Sequence, residues 1–459
     1  MLNKTVGILM VAMTGAAMAA PLSDADRQTA LAAMARAGED GLEPGRYRTN
    51  SHQAGDVQSA LLSYMRDIKI GRPELQSLDA DVSLPARNFD AAAAFGAANE
   101  DLASVLAGLA PSNPEYVRLK AGLARYRAVA ARGGWPVLAP DANPEQISAR
   151  LAFENDAILD SNATLKRFQA HHGLAVDGKL GPATLAALNI SAAARADTIA
   201  ANMERWRWLP PAFEPNRIVI NVAGGSLELF LNDQSRLVSR VIVGRPTNPT
   251  PILRAESAGI TLNPFWTVPN SIAAKEILPK LKRNPEWLAT QDMVLLNGPP
   301  GDPQGREVNW RAIRAGTFPY RIRQNPGAKN PLGLIKIELP NHFDVYLHDT
   351  PGKAAFNAPS RAVSHGCVRV EQILPLASFV LAGDLGATDR ISGDISTGQP
   401  RYVPLPSRVP VYFLYWTAFA DPDGGMEFRP DIYGRDQRMI AAMAGQQRLA
   451  GGPLHCSRA

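Results

Sequence analysis

Two cysteines among 459 residues are too few to staple a fold with disulfides, so the chain depends on ordinary hydrophobic cores. Beyond the first twenty or so residues, no run approaches the ~20 consecutive apolar residues that a bilayer span requires. No basic block stands out either. The 48 Lys and Arg against 43 Asp and Glu leave a balance of only +5, which argues against a nucleic-acid partner and suits a polyanionic wall or a membrane surface. A phosphate-cradling glycine loop is missing, and Gly224-Gly225 reads as a hairpin turn. His348, His365 and Cys367 lack the Cys-x-x-Cys or His-x-x-x-His partner that would complete a zinc site, so neither metal nor cofactor is expected.

What is present is globular in composition: 46% hydrophobic and 20% charged residues over a length that predicts several domains. Lys4 precedes an apolar run from Thr5 to Met13, and Ala17-Met18-Ala19 is a small-x-small cleavage pattern. This predicts a secretory signal peptide over 1–19, cut before Ala20, and an exported protein with no membrane span after cleavage. The run is short for an uncleaved anchor. Export makes a Cys367–Cys456 disulfide the default to weigh, although Cys456 follows Gly451-Gly452-Pro453 in a stretch that reads as a frayed end.

Residues 20–140 are rich in Ala and Leu. Ser23 caps an expected helix with Asp24 and Asp26 in its first turn, and Tyr116, Leu119, Leu123 and Tyr126 share one helical face closed off by Gly133-Gly134. A compact module over 144–192 follows. Leu165 and Phe168 share a helical face ended by Gly173, Asp177-Gly178 marks a turn, and Gly181-Pro182 opens a second helix. Residues 195–212 read as a linking helix. From there the period changes to two: Ile218, Ile220 and Val222, then Leu227, Leu229 and Leu231, then Val241 and Val243, with further strands at 334–339 and 343–348. About 270–316 turns helical around Ile272, Ile277, Leu278 and Leu281, which reads as a lid or a plain surface elaboration.

The chemistry gathers near Ser364-His365-Gly366-Cys367. A thiol attacks only as thiolate and needs a base close by. In Phe343-Asp344-Val345-Tyr346-Leu347-His348 the apolar positions would face the core, which puts Asp344, Tyr346 and His348 on the opposite face. In isolation that is an ordinary polar strand face. A cysteine elsewhere in the chain makes it the expected layout of a thiol enzyme. Gly366 lets the backbone turn tightly, amides there and the Tyr346 hydroxyl would serve as oxyanion donors, and Arg369 would project beside Cys367 to favour the thiolate or dock a carboxylate. Asp344 or a backbone carbonyl would orient His348.

Two resemblances follow from these residues. Leu165-Lys166-Arg167-Phe168-Gln169, Gly173-Leu174, Asp177-Gly178 and Gly181-Pro182-Ala183-Thr184 resemble the peptidoglycan-binding-domain-1 family, with Leu180 where that family usually has an aromatic. His348 followed by Ser364-His365-Gly366-Cys367, with Asn263-Pro264-Phe265-Trp266-Val268-Pro269, Asn330-Pro331-Leu332-Gly333 and Leu347-His348-Asp349-Thr350-Pro351, resembles the YkuD-type L,D-transpeptidases, in their large YcbB-like branch. Arg369 stands where smaller members often carry asparagine. The resemblance implies a multidomain α+β protein: a helical scaffold, the peptidoglycan-binding module, a mainly β catalytic domain over 215–420 with a helical cap, and a C-terminal tail over 421–459. It implies Cys367 as nucleophile and His348 as base, with Tyr346, His365 and Gly366 completing the catalytic set and Arg369, Ser364 and Arg323 contacting substrate. The implied reaction passes through a thioester, releases D-Ala from a tetrapeptide stem and forms a 3→3 peptidoglycan cross-link in the periplasm. Carbapenems would acylate Cys367. A wall peptidase (an L,D-carboxypeptidase) and a non-catalytic wall-binding protein are the alternatives.

Overall fold

A computed structural model describes residues 22–49, 53–97, 101–154 and 161–445. The expected signal peptide and Cys456 lie outside the described residues. No helix among the described residues is long and apolar enough to cross a membrane. The chain folds as expected into a multidomain α+β protein with a helical N-terminal scaffold and a sheet-rich catalytic region.

In the scaffold, Ser23 caps the helix Asp24–Ala35 by accepting from the Asp26 amide. That helix packs through Ala30 and Met34 against Val57, Leu61, Met65 and Ile68 of Ala54–Ile70. The helix Pro114–Ala131 buries Tyr116, Leu119, Leu123 and Tyr126 as their spacing predicts. In the small module, Pro144–Leu151, Ser161–His171 and Pro182–Leu188 enclose Leu151, Leu165, Phe168 and Leu188. Gln169 explains the motif's spelling. Its buried amide donates to Asp177 at 2.8 Å and to Thr184 at 3.1 Å, and its oxygen accepts from the Gly178 amide at 2.8 Å. Leu180 packs against this core in a partly buried position.

The sheet runs, strand by neighbouring strand, Val82–Ser83, Ile252–Glu256, Pro410–Leu414, Arg217–Asn221, Ser226–Leu231, Gln234–Gly244, Val368–Val370, Leu347–His348, Ile335–Glu338, Gly259–Leu262 and Arg401–Pro404. The alternating Ile218, Ile220, Leu227, Leu229, Val241 and Val243 fill one continuous core with the helices Pro114–Ala131 and Ala192–Arg207. The long strand Gln234–Gly244 leaves its hairpin partner and pairs at its far end with Val368–Val370, which carries the Cys367 segment into the middle of the sheet.

Four expectations are corrected. Ala192–Arg207 is a buried strut and not a linker: Glu204 is enclosed, accepting from the Arg72 amide at 2.6 Å, from Arg207 at 2.9 Å and from the Trp208 indole at 3.1 Å. The stretch 421–445 is no tail. Met426–Phe428 pairs with Ala418–Ala420, and the helix Arg435–Met443 buries Arg435, Asp436 and Met439. Its polar sequence concealed this because the charges find partners, Arg205 with Asp436 and Arg435 with Asp81, both at 2.5 Å. The cap is mixed and not purely helical. Its short helices join a three-stranded sheet of Trp266–Thr267, Met293–Leu295 and Ile322–Gln324, whose two- and three-residue strands are too short for periodicity to reveal.

The fourth correction touches the site. Only Leu347–His348 of the expected 343–348 strand joins the ladder. Asp344 adopts φ +55°, and the Asn341 side chain ties the preceding turn together through the Phe343 and Val345 amides. Asp344 therefore does not share a strand face with Tyr346 and His348.

Candidate active site

Cys367 occupies the bend between Ala362–Ser364 and Val368–Val370. Ser364 shapes that bend: its hydroxyl donates to the Cys367 carbonyl at 2.6 Å and accepts from the Gly366 amide at 3.1 Å. Gly366 sits at φ +117°, a conformation that L side chains rarely adopt. Its carbonyl accepts from the buried Thr250 hydroxyl at 2.7 Å, which in turn accepts from the Gly244 amide at 2.9 Å. Thr250 is itself braced by the helix Arg435–Met443, because Arg435 donates to its carbonyl at 3.2 Å. Thr250 carries no sequence signal beyond membership of a proline-flanked turn.

The parallel ladder sets Leu347 opposite Val368 and His348 opposite Arg369, so Cys367 lies one residue from the strand that abuts His348. The Cys367 thiol donates to the Asp344 carbonyl at 3.6 Å, and Tyr346 lies close enough to the same sulfur to pull its pKa down. The Tyr346 and His348 rings lie 5.6 Å apart. Lys336, paired with His348 on the other flank, places its ammonium 4.2 Å from the centre of the Tyr346 ring. His348 is buried, and its Nδ1–H donates to the Asp349 main-chain oxygen at 2.5 Å, which leaves Nε2 with the lone pair. The orienting group is thus a backbone carbonyl, not Asp344. The Asp349 carboxylate is itself held, accepting from the Leu334 amide at 2.9 Å and pairing with Lys353 at 2.5 Å.

Burial pushes the Cys367 thiol up, and Tyr346 and the Lys336 charge pull it only part of the way back. Burial, then the Arg369 charge, push His348 down to about 3. Burial therefore disfavours the charged form of both groups. Arg369 thus acts on the histidine, and Lys336, which sequence reasoning missed, is a cation that pulls the sulfur down.

His365 points elsewhere: its Nε2 meets Glu276 of the cap at 2.6 Å. Arg323 belongs to the small cap sheet, with its guanidinium 4.1 Å from the centre of the Phe265 ring. Of the expected residues, the fold sets Cys367, Gly366 and Ser364 in one bend, places His348 opposite Arg369 on the adjoining strands with Tyr346 beside His348, and leaves Arg323 with the cap.

Residues 215–394, which hold this whole constellation, match the YkuD family, described as the L,D-transpeptidase catalytic domain. Residues 21–123 match the Scaffold domain family, and residues 160–188 match a family described as "Putative peptidoglycan binding domain". A curated relative from Haemophilus influenzae, named "Putative L,D-transpeptidase", is 32% identical over 244 residues, covering 53% of this chain. The alignment spans 49% of that relative's length, about half of it. Within the segment that matches YkuD, the cap's sheet and helices lie between Gly259–Leu262 and Ile335–Glu338, so the insert enters and leaves through adjacent strands of the catalytic sheet.

Proposed function

We propose that this protein is an exported L,D-transpeptidase that forms 3→3 cross-links in peptidoglycan. The observation that carries this reading is Cys367 at a bend beside the strand of His348, its thiol donating to the Asp344 carbonyl and the His348 Nδ1–H held by a backbone oxygen, inside a segment that matches the YkuD family. As the thiol attacks the carbonyl between the third residue and D-Ala of a tetrapeptide stem, its proton passes to His348 Nε2. The same proton then goes to the departing D-Ala amine, leaving a thioester. The side-chain amine of a third-position diamino acid on a neighbouring stem attacks next, gives a proton to His348 and releases the Cys367 thiol.

Two features of the geometry support this sequence. The Gly366 amide is occupied by Ser364, so we assign oxyanion stabilisation to the Cys367 amide and the Tyr346 hydroxyl. A histidine held at about 3 is a poor base alone, and a substrate carboxylate docked on Arg369 would neutralise the charge that depresses it. Binding of the correct substrate then raises the base toward its task. The 160–188 module is assigned to wall attachment and the periplasm to the working compartment.

The test is direct. Mature protein is incubated with disaccharide-tetrapeptide and the products are followed by mass spectrometry. Dimer with loss of one D-Ala is the expected outcome. Tripeptide without dimer would assign a carboxypeptidase, and unchanged substrate would leave a wall-binding protein.

A further inference from the structure

The cap has a core of its own around Ile277, Leu281, Leu288, Trp310 and Ile322, separate from the core of the sheet beneath it. A segment with its own core can move as a body, so the contacts that tie it to the catalytic loop decide how often it does. One such contact reaches the loop directly. Glu276 projects from a single π-helical turn, Ala273–Ile277, of the kind that recurs at functional sites. One of its carboxylate oxygens meets His365 Nε2 at 2.6 Å and Arg245 at 3.3 Å. Both partners bear on the Cys367 loop: His365 is separated from Cys367 only by Gly366, and Arg245, just past the strand Gln234–Gly244, is tied to the loop through its amide, which donates to the Ser364 carbonyl at 2.9 Å. Arg245 is further fixed by Asn248 at 2.9 Å.

We propose that Glu276 is a positioning residue that clasps the cap onto the catalytic loop through His365 and Arg245, and that this clasp sets how the acyl-enzyme divides between an amine acceptor and water. The chemistry fits that role. All three side chains are partly exposed, at 33 to 41% of their full surface, so the ion pair is weak enough to open for substrate. Closed, it keeps solvent from a thioester that must outlast the arrival of a second stem. The assignment of product partition rests on the thioester reading above; the clasp itself does not.

The experiment uses the full mature protein and its Glu276→Ala and Glu276→Gln variants. Amide hydrogen exchange over 270–283 and the dimer-to-tripeptide ratio with disaccharide-tetrapeptide are measured alongside Tm. Glu276→Ala is expected to speed cap exchange about 3- to 5-fold, the scale of an exposed pair. It is also expected to shift product toward tripeptide with Tm unchanged. Glu276→Gln, which keeps an acceptor oxygen, is expected to restore part of both. Unchanged cap exchange in Glu276→Ala overturns the clasp, and so does faster exchange spread over the whole catalytic sheet with a lowered Tm. Wild type that makes no product would sink the transpeptidase reading alone, since cap exchange still decides the clasp.

Discussion

The Thr250 hydroxyl donates to the Gly366 carbonyl at 2.7 Å, and that one bond fixes the peptide immediately before Cys367. Thr250 is fully buried and accepts from the Gly244 amide with the same oxygen, so two main-chain groups rely on it. Thr250→Val keeps the shape and strands both. It is expected to cost about 1–3 kcal/mol in chemical denaturation. Acylation should slow as well, while Thr250→Ser stays close to wild type in both measurements.

Gly366 separates conformational strain from steric crowding. A Cβ added there would meet nothing nearer than 3.8 Å, so space is not the obstacle, whereas φ +117° is. Gly366→Ala should destabilise by about 1–3 kcal/mol through backbone strain. Its acylation rate should fall further than stability explains, because the sulfur moves with the backbone. An alanine variant with full activity would show that the loop relaxes freely.

Thiol reactivity should follow the burial of Cys367. Alkylation by iodoacetamide is expected to rise through pH 9 with no plateau in the range of an activated thiol. Because Lys336 and Tyr346 both pull the thiol down, Lys336→Met and Tyr346→Phe should each move the profile to higher pH. A plateau near neutrality in the free protein would mean that a resting thiolate–imidazolium pair exists after all.

His348 gives stability a defined pH dependence. Its pKa falls from 6.5 to about 3 on folding, so the unfolded chain takes up a proton that the folded one refuses. The associated stability is complete above about pH 6.5 and drains away as pH falls toward 3. Urea unfolding across that window should show a shallower slope in His348→Gln than in wild type.

Turnover itself should vanish in Cys367→Ala and His348→Ala and survive in Cys456→Ala. Mass spectrometry of the reaction and of a carbapenem adduct on Cys367 measures both. If Cys456→Ala were as damaging as Cys367→Ala, the disulfide alternative would return.

Much of the site was legible before folding was considered. Cys367, His348, Tyr346 and Arg369 stand out in the sequence because thiol chemistry needs a base and a donor, and because residues two apart on a strand share a side. The alternation over 343–348 was misleading in one respect, since an Asn341-centred turn with Asp344 at positive φ produces the same apolar spacing as a strand. Lys336, Thr250 and Glu276 left no trace, because each acts through a partner far away in sequence.

The bend at Cys367 shows where sequence ends and tertiary structure begins. By itself the sequence determined the residue types, the two-residue period of the sheet and the glycine that lets the loop turn, since these are local properties of side chains and backbone. Only the tertiary structure decided that burial would disfavour the charged forms of thiol and imidazole, that Asp349 would orient His348 with its backbone, and that a cap with its own core would reach His365 through Glu276. Desolvation and long-range pairing depend on what surrounds a group once the chain has closed around it, and no local pattern encodes that surrounding.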